Sequence, residues 1–439
     1  MNLFGGVIPI TGITFLMFSI FAIAFVGYFL GRITIKDISL GTAGVFIIAL
    51  VFGALFSNTI SKTLTLGGTD ISLNAFKIIE TVGLILFVGS VGMIAGPNFF
   101  KNLKMNFKSY ILVGLACTIA GSLATFGCFY IGIGKTVVPA EEAALGITKA
   151  QYFMSMMVGI MSGSLTSTPA FSATKDTAAS IAASAEAAAA LEDVVTVGHA
   201  IAYIFGVIGV VLFVQVVPKL VKANMEKERQ LITIVDTGNG SIKDVNKKRF
   251  EIDEFGFGAF SLVVILGVFI GMIKIPLSAA GLDGVTFSLT TTGGVLIAGL
   301  MLSHFGHIGP VSLQVSKKTL EAFREFGLML FLIGAGIPGG ASFVKYFQPV
   351  YFLYGIIITI VPMIVGYFLA RKLLKLSLLN SLGSITGGMT STPALGTLIR
   401  CAGTDDVASS YASTYPIALI SVVFASQILV LLSNSLPVF

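Results

Sequence analysis

Charge is scarce in this sequence. Only 11% of its 439 residues are Asp, Glu, Lys or Arg, 55% are apolar, and the mean hydropathy is +0.96. A soluble domain carries about 25% charged residues, and in water this chain would expose more apolar surface than a monomer tolerates. That excludes an ordinary soluble domain. Cysteine is also sparse. Cys117, Cys128 and Cys401 lie within or beside apolar segments, have no metal-ligand spacing, and read as packing thiols. No metal-ligand cluster and no nucleophile–base pair is visible, which disfavours a membrane enzyme. No basic stretch precedes the first apolar run and no small-residue cleavage site follows it. MNLFGGVIPITG therefore leads into a retained helix rather than a signal peptide. No span carries a carboxylate near its centre, which disfavours a proton or sodium exchanger.

What the chain does have is apolar runs near the length of a helix crossing a hydrocarbon core of roughly 30 Å. They do not alternate, so they are helices rather than barrel strands. Its 50 glycines suit helices that approach closely and broken helices that line substrate cavities. Six segments fill the first half, at 11–31, 39–56, 78–96, 107–133, 152–174 and 198–217. Six more fill the second, at 257–275, 287–303, 326–344, 349–370, 380–400 and 411–432. The net charge of +6 comes from basic residues between these runs, so it speaks to membrane orientation rather than to nucleic acid.

Lys and Arg in short loops mark the cytoplasmic side. Arg32 and Lys36, then Lys101, Lys104 and Lys108, then the central loop 218–256 with Lys219, Lys222, Lys227, Arg229, Lys243, Lys247, Lys248 and Arg249, should be inside. The N-terminus then lies outside, and four crossings return the chain to the outside near Lys135. To bring the central loop inside, segments five and six together must cross once. The fifth holds Gly159, Gly163 and Thr166-Ser167-Thr168-Pro169, so it is expected to be a re-entrant hairpin. The second half repeats this from the opposite face. His307, Lys317, Lys318, Arg371, Lys372 and Lys375 fall inside, and the C-terminus ends outside.

The halves align with each other in the same order of segments. Gly44-Val45 matches Gly294-Val295, and Gly83-Leu84-Ile85-Leu86-Phe87 matches Gly327-Leu328-Met329-Leu330-Phe331. Gly92 and Gly96 match Gly336 and Gly340; Tyr203 and Gln215 match Tyr415 and Gln427. In the fifth segment, GIMSGSLTSTPAF matches GSITGGMTSTPAL. An odd number of crossings per half gives the halves opposite orientations, the inverted repeat of many secondary transporters.

Non-helical backbone at membrane depth is tolerated only when buried in protein or lining a wet cavity. Pro169 and Pro393 each remove an N–H, and neighbouring hydroxyls can take over freed groups. TSTP therefore reads as a hairpin tip, with Thr168 or Thr392 as N-cap and the proline as first helical residue. A half-helix starts there with its positive dipole end at the midplane. Two such tips entering from opposite sides would offer N–H groups and the hydroxyls of Thr166, Ser167, Thr168, Thr390, Ser391 and Thr392 to a carboxylate. Gly163, Gly387 and Gly388 serve the hairpin structurally. Arg400 and Lys175, two turns beyond the prolines, are either substrate ligands or snorkelling residues at the hairpin's surface end, beside Asp176, Asp405 and Asp406. His199 reads as a helix-end residue, and the Ala-rich connector 177–197, with Glu186, Glu192 and Asp193, as a solvated or interfacial helix. Glu80 and Glu321, near span ends, could contribute to coupling.

At the two TSTPA segments the chain resembles the aspartate–alanine antiporter family of bacterial duplicated-domain transporters. The resemblance rests on GIMSGSLTSTPAF and GSITGGMTSTPALGTL, each followed by a helix with Tyr and Gln, and it spans both membrane halves. It implies exchange of carboxylates or amino acids in a bacterial inner membrane. It also implies a homodimer in which a transport domain moves against a scaffold. One departure is clear. Many members carry two regulatory domains between the halves, whereas here only 218–256 lies there, expected as a basic helix, a turn at Asp236-Thr237-Gly238-Asn239-Gly240 and a link.

The expected fold is therefore an all-α integral membrane protein of two inverted repeats, 1–217 and 257–439, joined by the cytoplasmic linker 218–256. Each repeat has about five spanning helices and one re-entrant hairpin, in an elevator-type arrangement. The expected function is exchange of an acidic amino acid or dicarboxylate, held between the tips with Arg400 as a bidentate contact. Two alternatives stay open: a symporter whose unwound carbonyls coordinate Na⁺, and a channel or membrane sensor. No other cofactor is expected.

Overall fold

The computed structural model describes residues 2–436 apart from 4–7, 36–37, 40–41, 67–68, 233–249, 277–280 and 282–285. The expected turn at Asp236–Gly240 and the basic residues Lys36 and Lys243 to Arg249 lie outside the described residues. The helices, in chain order, are α1 Gly12–Gly31, α2 Ala43–Thr63, α3 Ser72–Asn106, α4 Leu112–Ile133, α5 Ala140–Ala144, α6 Lys149–Ser164, α7 Thr168–Ser180 and α8 Ala185–Leu220. They continue with α9 Met225–Gln230, α10 Phe257–Gly271, α11 Thr290–Phe305, α12 Lys317–Tyr346, α13 Val350–Phe368, α14 Leu378–Gly388, α15 Thr392–Ala402 and α16 Ala408–Leu432. Strand structure among the described residues is confined to two-residue pairs such as Thr34–Ile35 with Ile38–Ser39.

Eight of these helices are long and apolar enough to cross a membrane: α1 to α4, α8, α12, α13 and α16. The chain is a multi-pass membrane protein. Helices α10 and α11 are apolar but, at 15 and 16 residues, fall short of the usual spanning length. Large side chains such as Phe25, Phe29, Ile131 and Phe269 stand exposed on these helices, where lipid rather than water is their natural solvent.

Two expectations about boundaries change and one holds. Between the third and fourth spans, where a basic loop was expected, the backbone stays helical through Asn106 and a π-helical turn at Phe107–Ile111. Pro97 and that turn are the places where such a run can bend. The Ala-rich connector is not a separate solvated helix. Ser184 caps α8 by accepting from Ala187 N (3.1 Å), and the run of good helix formers continues into the sixth span without a break. Leu191, Val194, Val195 and Val197 are buried in consequence. Finally, the fifth segment of each half is a pair of short helices, α6–α7 and α14–α15, parted at TSTP as the sequence suggested.

The chain forms two compact units, one from 1–87 with 323–348, the other from 88–322 with 349–439. The core of the first joins Phe15, Ile20 and Ile23 of α1, Val45 and Ala49 of α2, and Met329, Ile333 and Ile337 of α12. Gly83 and Gly327, matched in the sequence repeat, face each other there. A Cβ on either would sit 2.6–2.7 Å from the other's carbonyl oxygen, so both positions need glycine for the backbones to touch. The second unit holds both broken helices. Helix α8 packs on α6 of its own half and on α15; α16 packs on α14 of its own half and on α7.

Candidate functional site: the two hairpin tips

Each first arm ends in the same way. Thr166 and Thr390 take left-handed backbone, with φ 51° and 50°. Thr166 N bonds Gly163 O (2.9 Å) and Ser167 N bonds Ser162 O (2.9 Å); Thr390 N bonds Gly387 O (3.0 Å) and Ser391 N bonds Thr386 O (3.1 Å). This paired closure of a helix end normally uses glycine at the left-handed position. A β-branched residue there costs about 1–2 kcal/mol, so something must hold each threonine in place.

What holds them is the other tip. Thr166 Oγ1 donates to Met389 O (2.9 Å), and Thr390 Oγ1 donates to Leu165 O (2.8 Å). The two bonds are reciprocal, join residues more than 200 positions apart in sequence, and are buried. They tie hydroxyls that would otherwise be orphaned to carbonyls left free by the ends of α6 and α14.

Because the left-handed threonine reverses the chain, the N-cap falls one residue earlier than expected. Ser167, not Thr168, caps α7, with extended backbone and Oγ accepting from Ala170 N (3.4 Å). Thr168 opens the helix and Pro169 follows it inside the first turn, where its missing N–H costs nothing. On the second arm Ser391 occupies the same position before α15. Its hydroxyl is fully buried, makes no cap bond, and has no hydrogen-bond partner among the described residues. Thr392 and Pro393 open α15; their side chains lie outside the described residues.

The glycines let the sixth helices close on the first arms. A Cβ on Gly163 would meet His199 O at 2.5 Å and Tyr203 N at 2.8 Å; one on Gly387 would meet Tyr411 O at 2.7 Å and Tyr415 N at 3.2 Å. Gly388 lies against Cys117 Sγ, where a Cβ would come to 2.9 Å.

Other sequence candidates sit away from the tips. Arg400 is exposed in the last turn of α15, about 10 Å beyond Pro393 at 1.5 Å per residue, and donates to Thr397 Oγ1 (3.2 Å). Lys175 is buried rather than at the surface. It lies 3.9 Å from Glu192 Oε2 and 5.8 Å from the centre of the Phe171 ring. Next to it, Thr292 Oγ1 donates to Asp176 Oδ2 (3.1 Å) and lies 2.9 Å from Ser172 Oγ. His199 is not a helix-end residue. It is fully buried within α8, 2.8 Å from Ser162 Oγ by its Nδ1, and stacked on Phe171 with ring centres 4.0 Å apart. Glu80 is buried with Lys77 Nζ at 3.9 Å, and Glu321 pairs with Lys317 at 3.7 Å. Sequence reasoning missed the tip-to-tip bonds and the Lys175–Glu192 pair. The recurrence of TSTP was the signal for the first; nothing in the linear pattern joined the second.

The family described as Predicted Permease Membrane Region, that of the aspartate–alanine exchangers, matches residues 19–219 and 259–431. The chain belongs to the aspartate–alanine exchanger family. Members of this family are transporters, so this exchanger-family protein is not an enzyme. Its relatives include an uncharacterized transporter of Bacteroides fragilis (strain YCH46), 26% identical over 567 aligned positions that cover 94% of this chain and 97% of the relative. An uncharacterized transporter of Desulfotalea psychrophila is 25% identical over 576 positions, covering 94% and 96%. A putative transport protein of Edwardsiella ictaluri is 32% identical over 178 residues, covering 39% of this chain and 32% of the relative. The first two alignments are longer than the chain itself, so those relatives carry segments that it lacks. The family match leaves 220–258 uncovered, the stretch that holds the short linker.

Proposed function

We propose that this exchanger-family protein is a secondary transporter that exchanges small carboxylates, an acidic amino acid or a dicarboxylate, at the meeting point of its two hairpin tips. The observation that carries the reading is the reciprocal pair of bonds from Thr166 to Met389 and from Thr390 to Leu165. Two helix starts are thereby drawn to one small volume, each with its positive dipole end and amides turned toward the tip. An entering carboxylate can take over the two threonine hydroxyls, and Ser391 has hydroxyl capacity to spare. In this reading Arg400 stands on the route to the tips and receives the anion before they do.

The rest of the proposal follows from the repeat. The halves 1–217 and 257–439 are inverted relative to each other, with the linker 218–256 in the cytoplasm and both termini outside. The protein acts as a homodimer in a bacterial inner membrane, and alternating access comes from an elevator-like motion of one bundle against the other.

The test is counterflow in proteoliposomes loaded with L-aspartate or succinate. Ser391→Ala should weaken apparent affinity about tenfold, the loss of one good hydrogen bond. Thr392→Val and Arg400→Ala should abolish exchange while the protein stays folded; normal transport in both defeats the site assignment. The carbonyls of Leu165 and Met389 are also oxygen ligands of the kind Na⁺ takes, so uptake that needs a sodium gradient would replace exchange by symport. Conductance far above carrier turnover would make the protein a channel, and binding without flux a sensor.

A further inference from the structure

The linker helix α9 does more than connect the halves. Asn224 Oδ1 caps it, accepting from Glu226 N (3.1 Å) and Lys227 N (3.2 Å). The next two side chains then reach the two ends of the second hairpin. Glu228 Oε2 accepts from Leu378 N (3.1 Å), the first residue of α14. Arg229 Nε donates to Ala402 O (2.6 Å), the last residue of α15. Each thereby satisfies one of the backbone groups a helix end leaves open, and each carries the charge that complements its helix dipole. The guanidinium also lies over Gly403, whose left-handed φ of 66° ends α15 and where a Cβ would come within 3.0 Å of it. Beneath them, Ala223, Met225 and Ile232 of the linker pack on the cluster of Leu378, Leu379, Leu382, Leu398 and Ala402.

The first hairpin is held differently. Gln151, in the first turn of α6, joins the hairpin's own ends by donating to Ile181 O (3.4 Å). It also donates to Asn434 Oδ1 (2.9 Å), in the segment after α16. So the segment after the sixth helix of each half reaches the hairpin base of the other half, and in the linker an acid and a base together span both arms.

We propose that Glu228 and Arg229 are positioning residues for the second hairpin: by gripping α14 and α15 at their base, they set the spacing of the two arms and hence the placement of Thr390 and Ser391 at the tip. The inference takes from the proposed function only that the tips form the substrate site. Whatever binds or displaces α9 therefore acts on the base of the second hairpin and leaves the base of the first, held by Gln151, alone.

Hydrogen exchange of the full-length protein tests this without a known substrate. In the double variant Glu228→Ala/Arg229→Ala, amides of the tip peptide 386–396 should exchange about tenfold faster, as expected for losing charge-assisted bonds. The base of the first hairpin, 149–155 and 176–181, should keep its wild-type rate, while its tip follows the second tip through the threonine bonds. Glu228→Gln, which keeps the acceptor oxygen, should restore much of the protection, and Glu226→Ala/Lys227→Ala on the same helix should change nothing. The proposal is overturned if exchange rises at 378–382 and 398–403 but not at the tip, or if the base of the first hairpin loosens together with that of the second. In counterflow with L-aspartate, the double variant should raise KM about tenfold with turnover nearly kept; an unchanged KM also overturns it. If the parent protein carries neither L-aspartate nor succinate, the proposed function fails there, and the exchange rates still decide the clamp.

Discussion

At residue scale the left-handed threonines at the two tips, Thr166 and Thr390, are the unusual feature. Each carries a backbone cost of about 1–2 kcal/mol, and each hydroxyl recovers part of it through a buried bond to the opposite tip. Valine keeps the shape and the strain but drops the donor. Thr166→Val or Thr390→Val should each lower stability by about 1–3 kcal/mol, because a buried carbonyl loses its partner. Thermal unfolding in detergent measures the loss. The double variant should not cost twice as much if the bonds act as one joint, since neighbouring effects of this kind are not additive.

At the scale of elements, the close contact of each first arm with its sixth helix depends on Gly163 and Gly387. A leucine at either must push α6 off α8 or α14 off α16, because backbone atoms stand where its Cβ would go. Gly163→Leu and Gly387→Leu should each cost at least about 1–3 kcal/mol and should abolish exchange in the same proteoliposomes. A variant with wild-type stability would remove the packing argument. The break itself was legible in the sequence, since a proline after hydroxyl residues in an apolar run admits few other conformations. The capping residue was not. Its place depends on Thr166 and Thr390 adopting a backbone that threonine avoids, and only the partner tip makes that tolerable. The connector 177–197 was misread for a related reason. Its alanines say helix but do not say against what, and burial of Leu191 and Val194 is decided by α6 and α7. Lys175 and Glu192 were each visible, yet their meeting needs the turn at Ile181–Ser184 that brings α7 back along α8.

At the scale of the molecule, the apolar spans and the loop charges make one joint statement about orientation. Lys135 and Lys372 are exposed and should lie on opposite faces. In a Cys401→Ser background, where Cys117 and Cys128 are buried, Lys135→Cys should react with a membrane-impermeant maleimide added to intact cells. Lys372→Cys should react only after permeabilisation. Labelling of both from the same side would break the parity on which the proposed inverted repeat depends.

The threonine joint also has a consequence for how this protein could drift. Glycine at 166 or 390 would relax the backbone by about as much as the missing hydroxyl costs. A screen that watched only melting temperature would pass such a change unnoticed. What would vanish is the seal between the hairpins, so a leaky protein could look as sturdy as a tight one.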